Sequence, residues 1–523
     1  MKRAKGIGAR ACKLPTGMAS QAQGIMTTHA EVCVTATPIP LAGATESPVL
    51  LPRARTSRCA MPRTLWLLWL PCAAFALVNG GTTWARDYVL DMQNRHASDQ
   101  GPGTPKLPLK TIAKAADLAR ADTHTAASGA SADVQAAINA AQDGDTVVIP
   151  AGTYTWTTQV KVSTPKAITI RGAGIDQTII IDNVNKSGGR EATVLMPINL
   201  ALGKRFRLTG MTFRGMAQDT QVYNKGTVTV AGNAQDFRLD HLKFDKPGTS
   251  AIRYHGALYG VVDHCVFDLS NGKQGNVIWH ENWGGHEYGD GSFAEPLALG
   301  TEKAIYLEDN TFIGSGVAGA GVVDSMGGGR FVFRHNSVTD DNLATHGTES
   351  TGRFRGVRSY EIYDNVFTTS HFLFCGIYLR GGTGVIFNNT FRGTGGQSGY
   401  KIGILTANYR SDRAYMPWGM ATGTNPWDGN QDSSGYPCLD QVGWGTCDLL
   451  SRDPNPPASW PHQSSEPLYV WNNNWTPVPN NPGGVVGSQN LVIRENRDYF
   501  NNTPKPGYTP YTYPHPLVTG GIR

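Results

Sequence analysis

The sequence has 523 residues, of which 62 are glycine and 17% are charged, and its formal net charge is +5. Residues 1–85 contain nine Lys or Arg and two acidic residues, so the remainder carries a net charge of −2. This balance excludes nucleic-acid binding through a basic surface. The many glycines and the scarcity of helical or heptad periodicity favour a chain rich in strands and turns.

The first 85 residues contain a targeting pattern. A charged stretch that begins at Met61 precedes an apolar run over 65–78. Residues 83–85 fit the cleavage site of a signal peptide. We predict an extension over 1–60, with Met61 as the true start, and a secretory signal peptide over 61–85. The alternative is a cytoplasmic segment before a single anchor helix. Because the apolar run is short for a bilayer span, we expect no membrane span after cleavage and an extracellular or periplasmic location.

The mature chain begins with a lead-in over 86–130 that is rich in Pro, Gly and Ala. Asp133 to Ala141 has apolar residues at helical spacing and predicts a short amphipathic helix. Strand-like segments follow at 146–150 and 167–172.

These segments carry a family resemblance. The residues DVQAAINAAQDGDTVVIPAGTYTW (133–156) and AITIRGAG (167–174) resemble the N-terminal cap and first coils of the pectin-lyase-like β-helix superfamily. The resemblance implies an all-β, single-stranded right-handed parallel β-helix over 131–523, with a short helix covering its open end. It also implies a protein of the polysaccharide lyase or glycosidase type, although no specific family signature is complete.

A repeating unit supports the solenoid independently. It consists of strand residues, a polar or turn pair and a closing apolar residue. The closing residues are Phe213, Phe244, Phe267, Phe312, Val338, Phe367 and Phe391. Most of the sequence separations between successive closing residues match the length of one solenoid coil. The separation of 45 residues after Phe267 is longer and predicts an inserted loop at about 268–300. Asn residues two positions before the later closing residues are expected to stack as a ladder: Asn310, Asn336, Asn365 and Asn389.

The C-terminal part has a second, longer insertion at about 408–486, rich in Trp, Pro and Asn. A weak copy of the unit at 491–496 follows it, and the Pro/Tyr-rich tail from 500 is expected to wrap the outside. Cys438 and Cys447 suit a disulfide that pins the insertion. Such a capped solenoid is expected to be a monomer.

Counting back from each closing residue predicts an outer face. Positions 14 and 12 before it should point outward and position 13 inward, because alternate strand residues face opposite sides. The outward residues are then Arg253, His255, Asp324, Arg353 and Arg355, with Lys303, Arg358 and Arg380 at or beyond the edge.

Such a cationic strip suits an anionic sugar chain. The lyases of this superfamily imply β-elimination from a uronate, in which cations neutralise the carboxylate and Arg, Lys or His removes the C5 proton. Arg353 or Arg355 is the candidate neutraliser, and Arg358, His255 and His346 are candidate bases. Candidates for substrate binding are Arg253, Lys303, Arg380, Trp279, Trp283 and His280. Asp324 and Glu349 are candidate Ca²⁺ ligands; no other cofactor is predicted.

Three alternatives stay open. The order Asp324, Asp340-Asp341, His346-Gly347 and Arg353 or Arg355 resembles that of polygalacturonase-type glycosidases, but the flanking residues differ and no Arg-Ile-Lys follows. A non-catalytic β-helix that binds glycans or mediates surface adhesion is the second alternative. In the third, the charged face is a solvated surface with weak pairs such as Asp324–Arg353.

Overall fold

We describe the protein from a computed structural model over residues 121–187, 193–216, 226–317, 321–349, 352–429, 437–450, 463–479, 483–489 and 492–520. The predicted extension, the signal peptide and residues 86–120 of the lead-in lie outside these ranges. Among the described residues, no helix combines the length and apolar character needed to cross a bilayer.

Parallel strands, numbered β1 to β27 in chain order, form three long faces of the protein, which we call sheets 1, 2 and 3. Sheet 1 contains β1 (Thr123–Thr125), β2 (Thr146–Val148), β4 (Thr169–Arg171), β12 (Ile305–Glu308), β15 (Arg330–Arg334), β18 (Ser359–Tyr363), β21 (Thr383–Phe387), β24 (Leu468–Trp471) and β27 (Tyr499–Asn501). Sheet 2 contains β3 (Gly152–Trp156), β5 (Thr178–Asp182), β10 (Val266–Asp268), β13 (Thr311–Ile313), β16 (Ser337–Thr339), β19 (Val366–Thr369), β22 (Thr390–Gly393) and β25 (Asn474–Trp475). Sheet 3 contains β6 (Met196–Leu200), β11 (Asn276–Trp279), β14 (Val323–Met326), β17 (Leu343–Thr345), β20 (Phe372–Leu379), β23 (Gly399–Thr406) and β26 (Gly484–Ser488).

Three long strands run round the corners and contribute to more than one sheet: β7 (Phe206–Gly215), β8 (Val228–Asp245) and β9 (Ile252–Asp263). Each strand pairs with its equivalents in the neighbouring coils, and the end strands pair on one side. Because crossover connections between parallel strands are right-handed, the chain forms the right-handed parallel β-helix that the sequence predicts.

Alternate strand residues point inward and fill one continuous apolar core along the coils. The predicted N-terminal helix is present as α1 (Ser131–Ala140), and its buried Val134, Ala137 and Ile138 join the end of that core. The short helices α2 (Asp290–Ala294) and α3 (Pro516–Thr519) lie outside it, as do 3-10 turns at Trp283–Gly285, Glu287–Gly289 and Tyr409–Ser411.

The repeat register is confirmed at every closing residue. Phe213, Phe244, Phe267, Phe312, Val338, Phe367 and Phe391 pair in succession along sheet 2. The Asn ladder is also confirmed: Asn336 Oδ1 accepts from the backbone N–H of Asn310 at 3.0 Å, and the pattern continues through Asn365 and Asn389. It extends one coil beyond the prediction, to Asn473, whose Oδ1 accepts from the Asn389 N–H at 3.0 Å.

Two predictions for the C-terminal part are wrong. The coil after Phe391 is closed by Trp475, which pairs with it in sheet 2, and not by the segment 491–496. Cys438 and Cys447 are buried thiols and form no disulfide. They pack in different apolar clusters, since Cys438 contacts the cluster of Ala421 and Cys447 that of Phe293.

Both insertions leave the solenoid between sheet 3 and sheet 1. The first occupies 280–304, so Asn276–Trp279 within its predicted bounds is a regular strand of sheet 3. The second occupies roughly the stretch between β23 and β24. As expected, the tail wraps the outside: residues up to 520 lie across the outer face of sheet 1, where Arg334 donates to the carbonyl oxygens of Tyr511 and Thr512.

Candidate active site on sheet 3

The outer face of sheet 3 carries two adjacent rows of side chains, which we call the sheet 3 strip. One row contains His255, Trp279, Met326, His346 and Arg380. The other row, two residues earlier in each strand, contains Arg253, Val277, Asp324, Ala344 and Tyr378. The intervening residues, such as Tyr254 and Ile278, are buried in the core. Neighbouring strands are about 4.8 Å apart, so each step along a row brings the next coil's side chain alongside.

His346 is the centre of the most highly charged part of the strip. Its Nε2 lies 2.7 Å from Asp324 Oδ1, and its Nδ1 lies 3.1 Å from Glu349 Oε1. Arg380 Nη1 lies 3.1 Å from the same oxygen of Glu349. Gln274 donates from Nε2 to Asp324 Oδ2 at 2.8 Å. The imidazole is therefore held between two carboxylates, each of which has a second partner.

This arrangement sets the protonation of the cluster. Burial alone would lower the pKa of His346, but the charge of Asp324 and the close contacts of the ring nitrogens with Asp324 and Glu349 outweigh it and raise the pKa to about 8. Burial raises the pKa of both carboxyls, and the neighbouring His346 and Arg380 more than offset it, so both pKa values are lowered. At neutral pH the cluster contains two carboxylates, an imidazolium and a guanidinium.

Arg380 connects this cluster with two tyrosines. Its guanidinium lies 5.4 Å from the ring centres of both Tyr378 and Tyr409, and the Tyr378 hydroxyl donates to that of Tyr409 at 2.7 Å. Its Nε donates to the backbone oxygen of Thr345 at 2.7 Å, which fixes the side chain against the strand. Arg380, Tyr378 and Tyr409 are all partly exposed, so this part of the strip is accessible to a ligand.

A second cluster lies at the N-terminal end of the strip. Glu281 Oε1 lies 2.8 Å from His255 Nδ1 and 3.2 Å from Arg253 Nη2. The Arg253 guanidinium lies 4.7 Å from the ring centre of Trp279. His255 Nε2 has no hydrogen-bond partner among the described residues. His255 and His346 are three strands apart, roughly 14 Å at the usual spacing, so the two clusters are separate.

Aromatic side chains line the strip between the two clusters. Phe354 packs against Trp279 with ring centres 5.7 Å apart, and Tyr288 of the first insertion packs against Phe354 at 5.6 Å. Phe354 and Tyr288 are partly exposed, whereas Trp279 is mostly covered. Sugar rings pack well on such faces because aromatic carbon excludes water.

Arg355 and Arg358 were expected on or beside this face, and that placement is wrong. Both side chains are fully buried. Arg355 bridges Asp290 of the first insertion at 2.7 Å and Asp440 of the second at 2.8 Å, and Arg358 pairs with Glu466 at 2.7 Å. These arginines join the insertions to the solenoid and have no surface left for a substrate.

Other predicted residues are likewise not brought to the strip. Arg353 lies in the loop after sheet 3, with its guanidinium 5.6 Å from the ring centre of Trp418. Lys303 is exposed just before β12 of sheet 1, on a different face. Trp283 is buried and donates from Nε1 to Glu295 at 2.8 Å. His280 is buried beside it, and burial lowers its pKa to about 3, so it is neutral.

The counted register failed where insertions change the length of a coil. It places Arg253, His255 and Asp324 correctly, because no insertion separates sheet 3 from the closing residue in those two coils. The loops at 280–304 and 346–358 shift two further coils, so the true strip residues there are Trp279 and His346. In the fifth coil the chain from Tyr378 to Phe391 is one residue shorter than that from Asp324 to Val338, so Tyr378 points outward.

Several residues of the strip were not predicted: Gln274, Glu281, Tyr409, and Tyr378, which was expected to point inward. The sequence holds one usable signal for them. Glu281 lies next to His280, and Tyr409 follows β23 directly, so both lie just beyond the ends of sheet 3 strands.

The donor set between Asp324 and Glu349 does not fit Ca²⁺ as it stands. A hard cation of this kind takes six to eight oxygen ligands, whereas here an imidazole fills the space between the two carboxylates and a guanidinium contacts one of them. No reaction step is therefore assigned to a metal.

No protein-family model matches the sequence, and no curated protein matches it. Solved structures with a similar arrangement include an alginate lyase from Paenibacillus sp. str. FPU-7, at 16% identity, with 53% of this chain and 97% of that chain covered and a TM-score of 0.35. They also include ORF18 of Geobacillus virus E2, at 14% identity, with 60% and 62% covered and a TM-score of 0.28. A third is the catalytic domain of a GH87 alpha-1,3-glucanase in complex with nigerose, at 10% identity, with 73% and 68% covered and a TM-score of 0.28. The fold of this chain rests on its own strand pairing.

Proposed function

We propose that the protein is a secreted polysaccharide lyase that cleaves a uronate-containing polymer on the sheet 3 strip. The observation that supports this proposal is the cluster in which His346 lies between two carboxylates, next to a partly exposed Arg380. The leader pattern over 61–85 supports secretion.

The cluster offers the groups that β-elimination needs. Arg380 pairs with the substrate carboxylate, which makes the C5 proton more acidic. When His346 is neutral, its Nδ1, the ring nitrogen with the longer carboxylate contact, turns from Glu349 to the substrate and accepts that proton. The bond between C4 and the glycosidic oxygen breaks, and a C4–C5 double bond forms. The proton on His346 then passes to the leaving oxygen, so no external reactant is required. Asp324 and Glu349 act as positioning residues that orient the imidazole.

Elimination is favoured over hydrolysis by the charge of the two carboxyls. A glycoside hydrolase of the usual type needs one protonated carboxyl as general acid. Here the pKa values of Asp324 and Glu349 are both lowered, so neither holds a proton at neutral pH. His346 is the group of this cluster that can gain and lose one in the working range.

The test is incubation of the chain from residue 86 with alginate, polygalacturonate and other uronate polymers while the absorbance of the unsaturated product is followed. We expect product with at least one polymer and a loss of at least a hundredfold in His346→Gln. His371→Gln, a change at an exposed histidine in the turn between β19 and β20, is the matched control and should leave the rate unchanged.

Each other result contradicts part of the proposal. New reducing ends without that absorbance would identify a hydrolase, and binding without any product would identify a glycan-binding protein. If His255→Gln abolished elimination while His346→Gln did not, the reaction would belong to the Glu281–His255 pair. Loss of activity in EDTA, restored by Ca²⁺, would show that the predicted calcium ion is needed after all.

A further inference from the structure

A cavity of about 520 Å³ opens on the outer face of sheet 1, near its N-terminal end. Its lining is formed by Thr146, Thr169, Arg171, Arg207, Thr209 and His241, with backbone from Gly172 to Gly174 and Gly210. Its volume falls in the range of small-ligand sites. It lies on a different sheet from the strip and is not used in the proposed reaction.

The lining follows from the strand register. Thr146, Thr169 and Arg207 occupy one outward row of sheet 1 on successive coils. Arg171 and Thr209 occupy the next row. Hydroxyl and guanidinium groups therefore repeat at strand spacing over the floor of the cavity. A ligand with a row of sugar hydroxyl and acid groups would need such an arrangement of donors.

The later coils of the same sheet have a different outer face. There the row contains Val261, Tyr306 and Val332, and the C-terminal tail covers them. The described tail reaches the coil beside the cavity: Arg238, which pairs with Arg207 in the register, donates to the backbone oxygens of Leu517 and Val518 at 3.4 and 3.3 Å. Within the described residues, the tail therefore covers sheet 1 up to the coil next to the polar lining.

The charges of the cavity leave positive charge for a ligand. Asp240 already accepts from Arg207 at two positions, both at 2.7 Å, and also contacts Arg238 and His241. Arg207 is held rigidly by this contact. Arg171 is exposed and forms no ion pair within the part of the chain that the structure describes.

We propose that this cavity is a second carbohydrate site, which binds an acidic sugar unit of the polymer through Arg171, Arg207 and the threonine hydroxyls. The proposal extends the proposed function, because it supplies an anchor for the same polymer away from the strip. Two linked contacts raise the overall affinity for a long chain, whereas a short oligomer reaches only one of them. The acid group is either a carboxylate or a sulfate ester, since a guanidinium binds both.

The test is affinity electrophoresis of the full chain in gels that contain alginate, polygalacturonate, carrageenan or uncharged dextran. We expect retention in at least one acidic polymer, and at least fivefold weaker retention of Arg171→Glu and Arg171→Gln. Arg392→Glu makes the same charge change at an exposed arginine of sheet 2 and should be retained like the wild type. Retention by uronate polymers or by carrageenan distinguishes the two acid groups.

Different results would contradict the second carbohydrate site and the lyase proposal. Equal retention of Arg171→Glu and the wild type would overturn the second site, even if the protein proves to be a lyase. Absence of retention in every acidic polymer, or equal retention in uncharged dextran, would also overturn it. If no polymer is cleaved but retention depends on Arg171, the carbohydrate site stands and the lyase proposal falls.

Discussion

His346 is the residue on which the proposed elimination depends. Its pKa is raised to about 8 although its side chain is only one-fifth exposed, because Asp324 and Glu349 favour the imidazolium. Such a perturbed group, next to specific charge partners on a partly open face, is typical of an acid–base site. The same pairing keeps the imidazole in one orientation while it is protonated.

We predict that kcat/KM on a uronate polymer rises with pH through about 8. A base must be deprotonated, so below its pKa the active fraction grows about tenfold per pH unit and then levels off. The measurement is initial rate at low substrate concentration from pH 6 to 10. Asp324→Asn removes the charge that raises the pKa, so its profile should shift to lower pH. A rate that falls as pH rises through 8 would mean that the imidazolium is the required form.

At the scale of elements, a buried ion cluster holds the insertions next to the strip. Arg355 contacts both Asp290 and Asp440, while its guanidinium lies 4.1 Å from the ring centre of Phe293. Phe354, which lines the strip, immediately precedes it. The cluster therefore positions Phe354, an aromatic side chain of the strip, while Arg355 itself is buried.

Removing Arg355 should destabilise the protein strongly. Arg355→Met leaves two buried carboxylates without their cation, which costs about 3–5 kcal/mol. We expect a lower Tm by calorimetry and a higher KM for the fraction that stays folded. The triple variant with Asp290→Asn and Asp440→Asn should recover part of the Tm. If Arg355→Met instead lowered kcat at an unchanged Tm, its role would be in the reaction.

The Asn ladder should stabilise the solenoid most in its middle. Asn336 accepts from Asn310 and donates to the Leu307 and Arg334 backbone oxygens, all in a buried turn. Asn336→Ala leaves these groups unpaired, at about 2–4 kcal/mol. Asn473→Ala, at the half-buried end of the ladder, should lower the Tm less. Equal losses at the two positions would show that burial does not set the cost.

The sequence predicts elements that repeat and misses those that do not. Phe and Asn positions recur once per coil, so the coil register and the ladder could be read directly from their spacing. The positions of Arg353 and Arg355 depend on the path of loops whose length varies freely. Contacts such as Arg355–Asp440, 85 residues apart, have no local signal in the sequence.

At the scale of the whole molecule, the three sheets have different outer surfaces although they share one core. Sheet 3 carries the charged strip, sheet 1 is polar at its N-terminal end, and the tail covers later coils of sheet 1. The tail is tied down by specific contacts: Tyr508 donates to Glu361, and the backbone N–H of His515 donates to Glu308 at 2.8 Å. Each coil contacts only its neighbours in a solenoid, so such a strap links coils that would otherwise be independent.

Deleting residues 505–520 should therefore destabilise several coils at once without changing the strip. The deletion exposes Tyr306, Val332 and Phe387, which the tail now covers, and we expect a lower Tm and binding of an apolar dye such as ANS. Leu517→Ala removes one buried anchor and should cost about 2 kcal/mol, a smaller fall than the deletion. Elimination activity per folded molecule should persist, because His346 lies on another sheet. An unchanged Tm would show that the solenoid is stable without the tail, and loss of activity at full folding would show that sheet 1 and the strip are coupled.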